Sequence, residues 1–190
     1  MKYIVVVALI FFAHYLIAQE DLPYREISEY SSEFTPETVA ARMVDGLGFR
    51  YYWATDGLRE EDLSYKPNED ARTARETLEH IHGLANFLLC TTQEKVQSSV
   101  DVADYSFEEL RKATLLKIEE ASTILKSGEV QLSELIIEFE NSNTTYPFWN
   151  QINGPISDAL WHVGQIVSFR RSSGNPFTSN VSVFTGKVKN

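Results

Sequence analysis

Cysteine is almost missing from this chain. Cys90 is the only one, so no internal disulfide can form and the fold must rest on noncovalent packing. Set within Phe87-Leu88-Leu89-Cys90, that thiol reads as buried and inert rather than reactive. Basic residues are also in short supply: 17 Lys and Arg against 27 Asp and Glu give a net charge of −10. A surface of that sign repels phosphate, and no basic stripe interleaved with aromatics offsets it, which argues against a nucleic-acid partner and equally against anionic membranes. Internal repeats and low-complexity tracts are absent. Long apolar runs are confined to residues 3–17, about 15 positions where a membrane span needs about 20.

That run has neighbours that explain it. Lys2 precedes it, Ala18-Gln19 ends it and Glu20-Asp21 follows, the three-part layout of a secretory signal. Residues 1–19 are therefore expected to be a signal peptide, removed on export to leave a periplasmic or secreted protein with no stable membrane insertion. A retained N-terminal anchor is the alternative. No cysteine near Ala18 offers a lipid-attachment point. The remainder, with 43% hydrophobic and 12% aromatic residues overall, suffices for one core and is short for two. It divides into a lead-in (20–34), one helical domain (35–177) and a tail (178–190).

Helix signals recur through the domain. Thr35-Pro36 supplies an N-cap and a first-turn proline, and Val39, Met43, Leu47, Tyr51 and Ala54 follow at steps of three or four, predicting a helix to about Asp56-Gly57. Residues 58–69, with Lys66-Pro67-Asn68, read as an ordered loop. Thr73 with Glu76, and Ser106 with Glu109, stand at capping-box spacing ahead of two further apolar stripes, Leu78 to Leu88 and Leu110 to Leu125. Residues 130–149 are expected to hold short extended pieces or a helical turn. The best-marked helix lies between Gly154-Pro155 and Gly174, with Pro155 at its first position and Gly174 as a left-handed C-cap. Four helices with long connections predict an all-α four-helix bundle.

The last helix carries the chemistry. Asp158 and His162 are four apart, hence stacked on one face, and Gln165 continues the line. In the second helix His80 and His82 flank the apolar stripe, offset from each other by about 200°.

The stretch Arg72-Thr73-Ala74-Arg75-Glu76-Thr77-Leu78-Glu79-His80-Ile81, with Asp158-Ala159-Leu160-Trp161-His162-Val163-Gly164-Gln165-Ile166 downstream, resembles the DinB/YfiT-like superfamily of metalloenzymes. The likeness spans residues 35–176. In that family one histidine comes from the second helix and two from a later helix in a His-x-x-x-His arrangement, usually followed by Gly-Gln. The resemblance implies His80 as the first ligand, His162 as the last and Gly164-Gln165 as the following pair. Asp158 stands at the middle ligand position, a departure from the pattern. It further implies a metal-dependent hydrolase or group transferase acting on a small-molecule substrate, with a small thiol as cosubstrate in some members, and a bundle that often pairs as a homodimer.

Two residues at i and i+4 with a third from a facing helix can hold one divalent ion and leave positions for water or substrate. Two histidines and a carboxylate suit Zn, Ni, Mn and Fe alike, so the metal is not specified. Each residue has a plainer reading. Asp158 suits the positive end of a helix dipole, and His162 could be a buried histidine satisfied by a neighbour. The whole could be a non-catalytic binding bundle or a structural polar network. Gln165 is placed to orient a ligand. Trp149 and Trp161, with Tyr146 and Phe148, would wall a pocket or fill the core. Glu76 would be a further ligand or base, or a cap. His82 is expected to face solvent or support the site from behind. Arg170 and Arg171 complement the dipole of the last helix or clamp an anion.

Overall fold

A computed structural model describes residues 22–189; the signal-peptide expectation falls on residues outside that range. The chain is mainly helical. Four long helices, α1 (Pro36–Thr55), α3 (Ala74–Thr92), α4 (Phe107–Lys126) and α6 (Ser157–Ser172), surround one core, with short helical pieces α2 (Glu60–Leu63) and α5 (Trp149–Gln151) between them. Each long helix touches two others: α1 packs on α4 and α6, and α3 packs on α4 and α6. Val44, Leu47, Tyr51, Leu78, Ile81, Leu110, Ile118, Ala159 and Ile166 are among the side chains that fill the centre.

The helices begin where local chemistry places them. The Oγ1 of Thr35 accepts from the Thr38 amide at 3.2 Å, while Thr38 Oγ1 accepts from the Thr35 amide at 3.0 Å. Reciprocal boxes start α3 (Thr73 with Glu76) and α4 (Ser106 with Glu109). Each box supplies partners for amide groups that a helix start otherwise leaves unpaired.

Between α4 and α6 the chain makes a two-residue antiparallel pair, β1 (Ile136–Ile137) with β2 (Tyr146–Pro147). The tail forms a second hairpin, β3 (Val181–Ser182) with β4 (Lys187–Val188). It packs against the outer side of α1, where Ile27, Phe49 and Val181 form a small apolar cluster. The lead-in is stitched to the tail by Ile27 N–H to Gly186 O (2.8 Å) and by Val188 N–H to a Glu26 carboxylate oxygen (2.9 Å).

One boundary departs from expectation. The last helix does not start at Pro155. It starts at Trp149 and passes through a π-helical stretch, Ile152–Ile156, with Pro155 inside it. In a π turn carbonyls pair with amides five residues on, so the absent N–H of a proline four residues on leaves no carbonyl orphaned. The Ser157 hydroxyl adds a donor to the carbonyl of Ile152. At the other end Gly174 adopts φ +85°, and Asn175 N–H to Arg170 O with Gly174 N–H to Arg171 O closes the helix as a Schellman motif.

Candidate metal centre

His80 from α3 meets Asp158 and His162 from α6 at the seam between the two helices. His80 Nε2 lies 3.2 Å from Asp158 Oδ2, and His162 Nε2 lies 3.2 Å from Asp158 Oδ1. The imidazoles stand edge to face, centroids 4.7 Å apart. One ligand atom from each residue can be chosen so that all three fall within 4.8 Å of one another. Ligands about 2.1 Å from a common ion are separated by roughly 3.0 Å at a right angle and roughly 3.4 Å at a tetrahedral angle. Each histidine–carboxylate separation, 3.2 Å, falls between those limits, but the two engage different oxygens of Asp158, so one ion would be held through both oxygens or would draw the trio together around one of them.

The trio is half-buried, not enclosed. Side-chain exposures are 33% for His80, 39% for Asp158 and 15% for His162. The site lies beside the core, not within it: α6 turns Ala159, Val163 and Ile166 to the core and carries Asp158 and His162 on its flank, where His80 of α3 meets them. A closed polar network would have been sealed from solvent; this one has an open side.

Gln165 settles which nitrogen of His162 is available. Its Oε1 lies 2.8 Å from His162 Nδ1. An amide oxygen only accepts, so Nδ1 carries the hydrogen. In the neutral ring Nε2 then has a lone pair, and that lone pair faces a carboxylate oxygen. Two acceptors at this distance attract only with a cation between them, a proton or a metal ion. A proton would make this an ordinary ion pair; the donor set also fits a divalent cation, with one anionic carboxylate and an imidazole whose coordinating nitrogen is fixed by an outer hydrogen bond.

The remaining expected site residues lie elsewhere. Glu76 is engaged in capping α3: its Oε2 accepts from the Thr73 amide at 2.7 Å, which holds its carboxyl below the usual carboxylate range. Trp149 and Trp161 are each 73% exposed, so neither fills the core as one reading had it. Trp161 flanks the site, one turn from Asp158, whereas Trp149 sits ahead of the π turn. His82 is not solvated. It is buried between α3 and α4, with Nδ1 3.0 Å from Thr114 Oγ1. Because α3 has a long helix on either side, both flanks of its stripe are covered, and a 200° offset moves a histidine from one seam to the other. Arg170 neither clamps an anion nor simply lies near a dipole. It is buried, and its Nη1 reaches the carbonyls of Trp53, Ala54 and Asp56 at 3.0–3.2 Å, capping the C-terminus of α1.

Sequence reasoning passed over Asp45. It is buried in α1, accepting from Ser122 Oγ (2.6 Å), Lys126 Nζ (2.6 Å) and Tyr24 Oη (3.3 Å). Its signal was a carboxylate wedged between Val44 and Leu47 on an otherwise apolar stripe.

No family model matches the sequence, and no curated protein matches it.

Proposed function

We propose that this chain is a four-helix-bundle metalloprotein of the DinB-like type, in which His80, Asp158 and His162 hold one divalent ion and the open side admits a small-molecule substrate. The reaction class is metal-dependent hydrolysis or group transfer. A divalent ion in such a site acidifies bound water and polarises a substrate oxygen. The chain's own residues have simpler tasks. His80 and His162 would supply ring nitrogens to the ion, Asp158 would offset part of its charge, and Gln165 would hold the His162 ring in one orientation.

One observation carries this reading: one ligand atom from each of His80, Asp158 and His162 lies within 4.8 Å of the other two, and Gln165 occupies the other nitrogen of His162, the grouping that a single metal ion needs. The half-exposed position of the trio supports access for substrate. Within the same proposal the chain is exported, and a small thiol or a second copy of the chain are its candidate partners, both on the strength of the family resemblance.

The test is elemental analysis of protein purified without chelator, beside His80→Ala and His162→Ala, followed by titration with Zn, Ni, Mn and ferrous iron. Near-stoichiometric metal in the wild type, lost in both variants with unchanged circular dichroism, supports the reading and selects the ion for substrate screening. Failure to carry or take up any of the four overturns it and leaves a non-catalytic helical module.

A further inference from the structure

The two flanks of α6 are unlike. On the flank away from the trio, α6 meets α1 across a cleft of about 540 Å³, in the size range of small-molecule sites. Its walls are aliphatic: Met43 from α1, Leu160 and Val163 from α6, and Val183 from the tail hairpin. Two glycines line it as well. Gly46 lies between Arg42 and Arg50 at steps of four, so all three share one face of α1. A Cβ on Gly46 would come within 3.2 Å of Arg50 Nη1, and a Cβ on Gly164, from α6, would meet nothing within 4 Å. The cleft is open because both helices lack a side chain there.

Its polar lining is cationic. Arg42 donates Nη1 to Ser28 O (3.0 Å) and lies over the Tyr30 ring. Arg50 donates to Gly46 O (2.9 Å) and Val183 O (3.5 Å). Every one of these partners is neutral, and among the described residues neither guanidinium is paired with a carboxylate. Among the described residues no acidic side chain lines the cleft. In a chain of net charge −10 this is a local reversal of sign, and each guanidinium has more donors than these bonds use.

We propose that the α1/α6 cleft binds an amphipathic carboxylate, a free acyl-chain acid whose head is held by Arg42 and Arg50 and whose chain lies on Met43, Leu160, Val163 and Val183. Guanidinium groups match a carboxylate with paired N–H donors. Aliphatic walls without aromatic faces or hydroxyl groups suit a hydrocarbon chain better than a sugar or a planar ring. Val183, 48% exposed, and Phe184, 96% exposed at the same hairpin tip, make the surroundings of the mouth apolar. Leu160 and Gly164 lie two positions from Asp158 and His162, hence turned from them by about 200° on the helix. The cleft and the metal centre are therefore separate sites.

Calorimetric titration of the full chain, held in chelator, with decanoate and with decyltrimethylammonium below their micelle concentrations tests this. Decanoate is expected to saturate one site per chain and the cation none. Gly164→Leu, which fills the cleft, and Arg50→Gln, which removes a head-group donor, are each expected to weaken decanoate at least tenfold with unchanged circular dichroism. His162→Ala is expected to bind decanoate as the wild type does. The proposal is overturned by absence of saturation, by equal uptake of the cation, by unchanged affinity in both cleft variants, or by loss of binding in His162→Ala. Saturable binding of an acidic Leu/Glu peptide without any of decanoate overturns it in favour of a polypeptide occupant.

Discussion

Gln165 accepts a 2.8 Å hydrogen bond from Nδ1 of His162, and that bond decides which nitrogen of the ring faces Asp158. Without it the imidazole could rotate or exchange tautomers, and its ligand lone pair would be present only part of the time. Gln165→Leu is expected to weaken metal binding 10- to 100-fold, the usual cost of losing an outer hydrogen bond to a ligand, while Gln165→Glu keeps an acceptor and much of the affinity. Competition against a chromogenic chelator measures both. Equal affinities for wild type and Gln165→Leu would remove Gln165 from the site.

His82 makes stability depend on pH. The Thr114 hydroxyl donates to Leu110 O at 2.7 Å, so its oxygen can only accept from His82 Nδ1, and the ring is neutral in the folded chain. Burial, with a smaller contribution from Lys117, pushes its pKa down to about 4. The unfolded chain binds the proton first, near pH 6.5. Stability from this group is therefore complete above about pH 6.5 and lost as pH falls towards 4, on the order of 3 kcal/mol in all. Urea midpoints across that window should slope downward in the wild type and be flatter in His82→Leu.

Asp62 ties α2 to the end of α6. Its carboxylate accepts from Arg59 (2.9 and 3.0 Å), Asn175 (2.7 Å) and the Ser173 hydroxyl. The Arg59 bonds foremost hold it well below the usual carboxylate range, against the opposing effect of burial. A depressed folded pKa gives stability present above the unfolded value, about 4, and lost as pH falls further. Asp62→Asn is expected to cost about 3 kcal/mol at pH 7 and to lessen the acid sensitivity below pH 4, read from thermal midpoints at pH 7 and pH 3.

Gly48 is held by a close approach. A Cβ there would lie 2.5 Å from the Tyr24 ring, and Tyr24 is already in a left-handed conformation, φ +73°. Gly48→Ala should displace the ring, break its bond to Asp45 and destabilise the fold by about 2 kcal/mol despite the better helix propensity of alanine. An unchanged or raised thermal midpoint would refute this.

The sequence was legible where one local rule acts alone. Capping boxes at Thr73 and Ser106 and the Thr35-Pro36 start identify helix beginnings because their partners are three residues away. His80, Asp158 and His162 were likewise within reach, through i, i+4 spacing and the resemblance at His80. What failed involved two rules in competition. Pro155 read as a first-turn proline because an α-helix excludes it further in, yet a π turn accommodates it. His82 was misplaced because the apolar stripe of a helix tells which side is buried only if it has one neighbour. With α4 on one side and α6 on the other, α3 buries His82 in the seam opposite the one that holds His80. Arg42, Gly46 and Arg50 went unread, because an empty cleft appears only when the opposite wall is in place.

A π turn holds one residue more than the α turn it replaces, so Ile152–Ile156 divides the last helix into two frames about 100° out of phase. Upstream, the frame is fixed by Gln151, whose amide reaches Thr91 Oγ1 at 2.6 Å in the interior. Downstream, it is fixed by Ala159, Val163 and Ile166 in the core, and with it Asp158 opposite His80. Deleting one residue between 152 and 154 would merge the frames, and the chain would have to give up either the Gln151 contact or the alignment of Asp158 with α3. A change of one codon in length, with His80, Asp158 and His162 all left intact, is thus a route by which this trio could be assembled or dismantled.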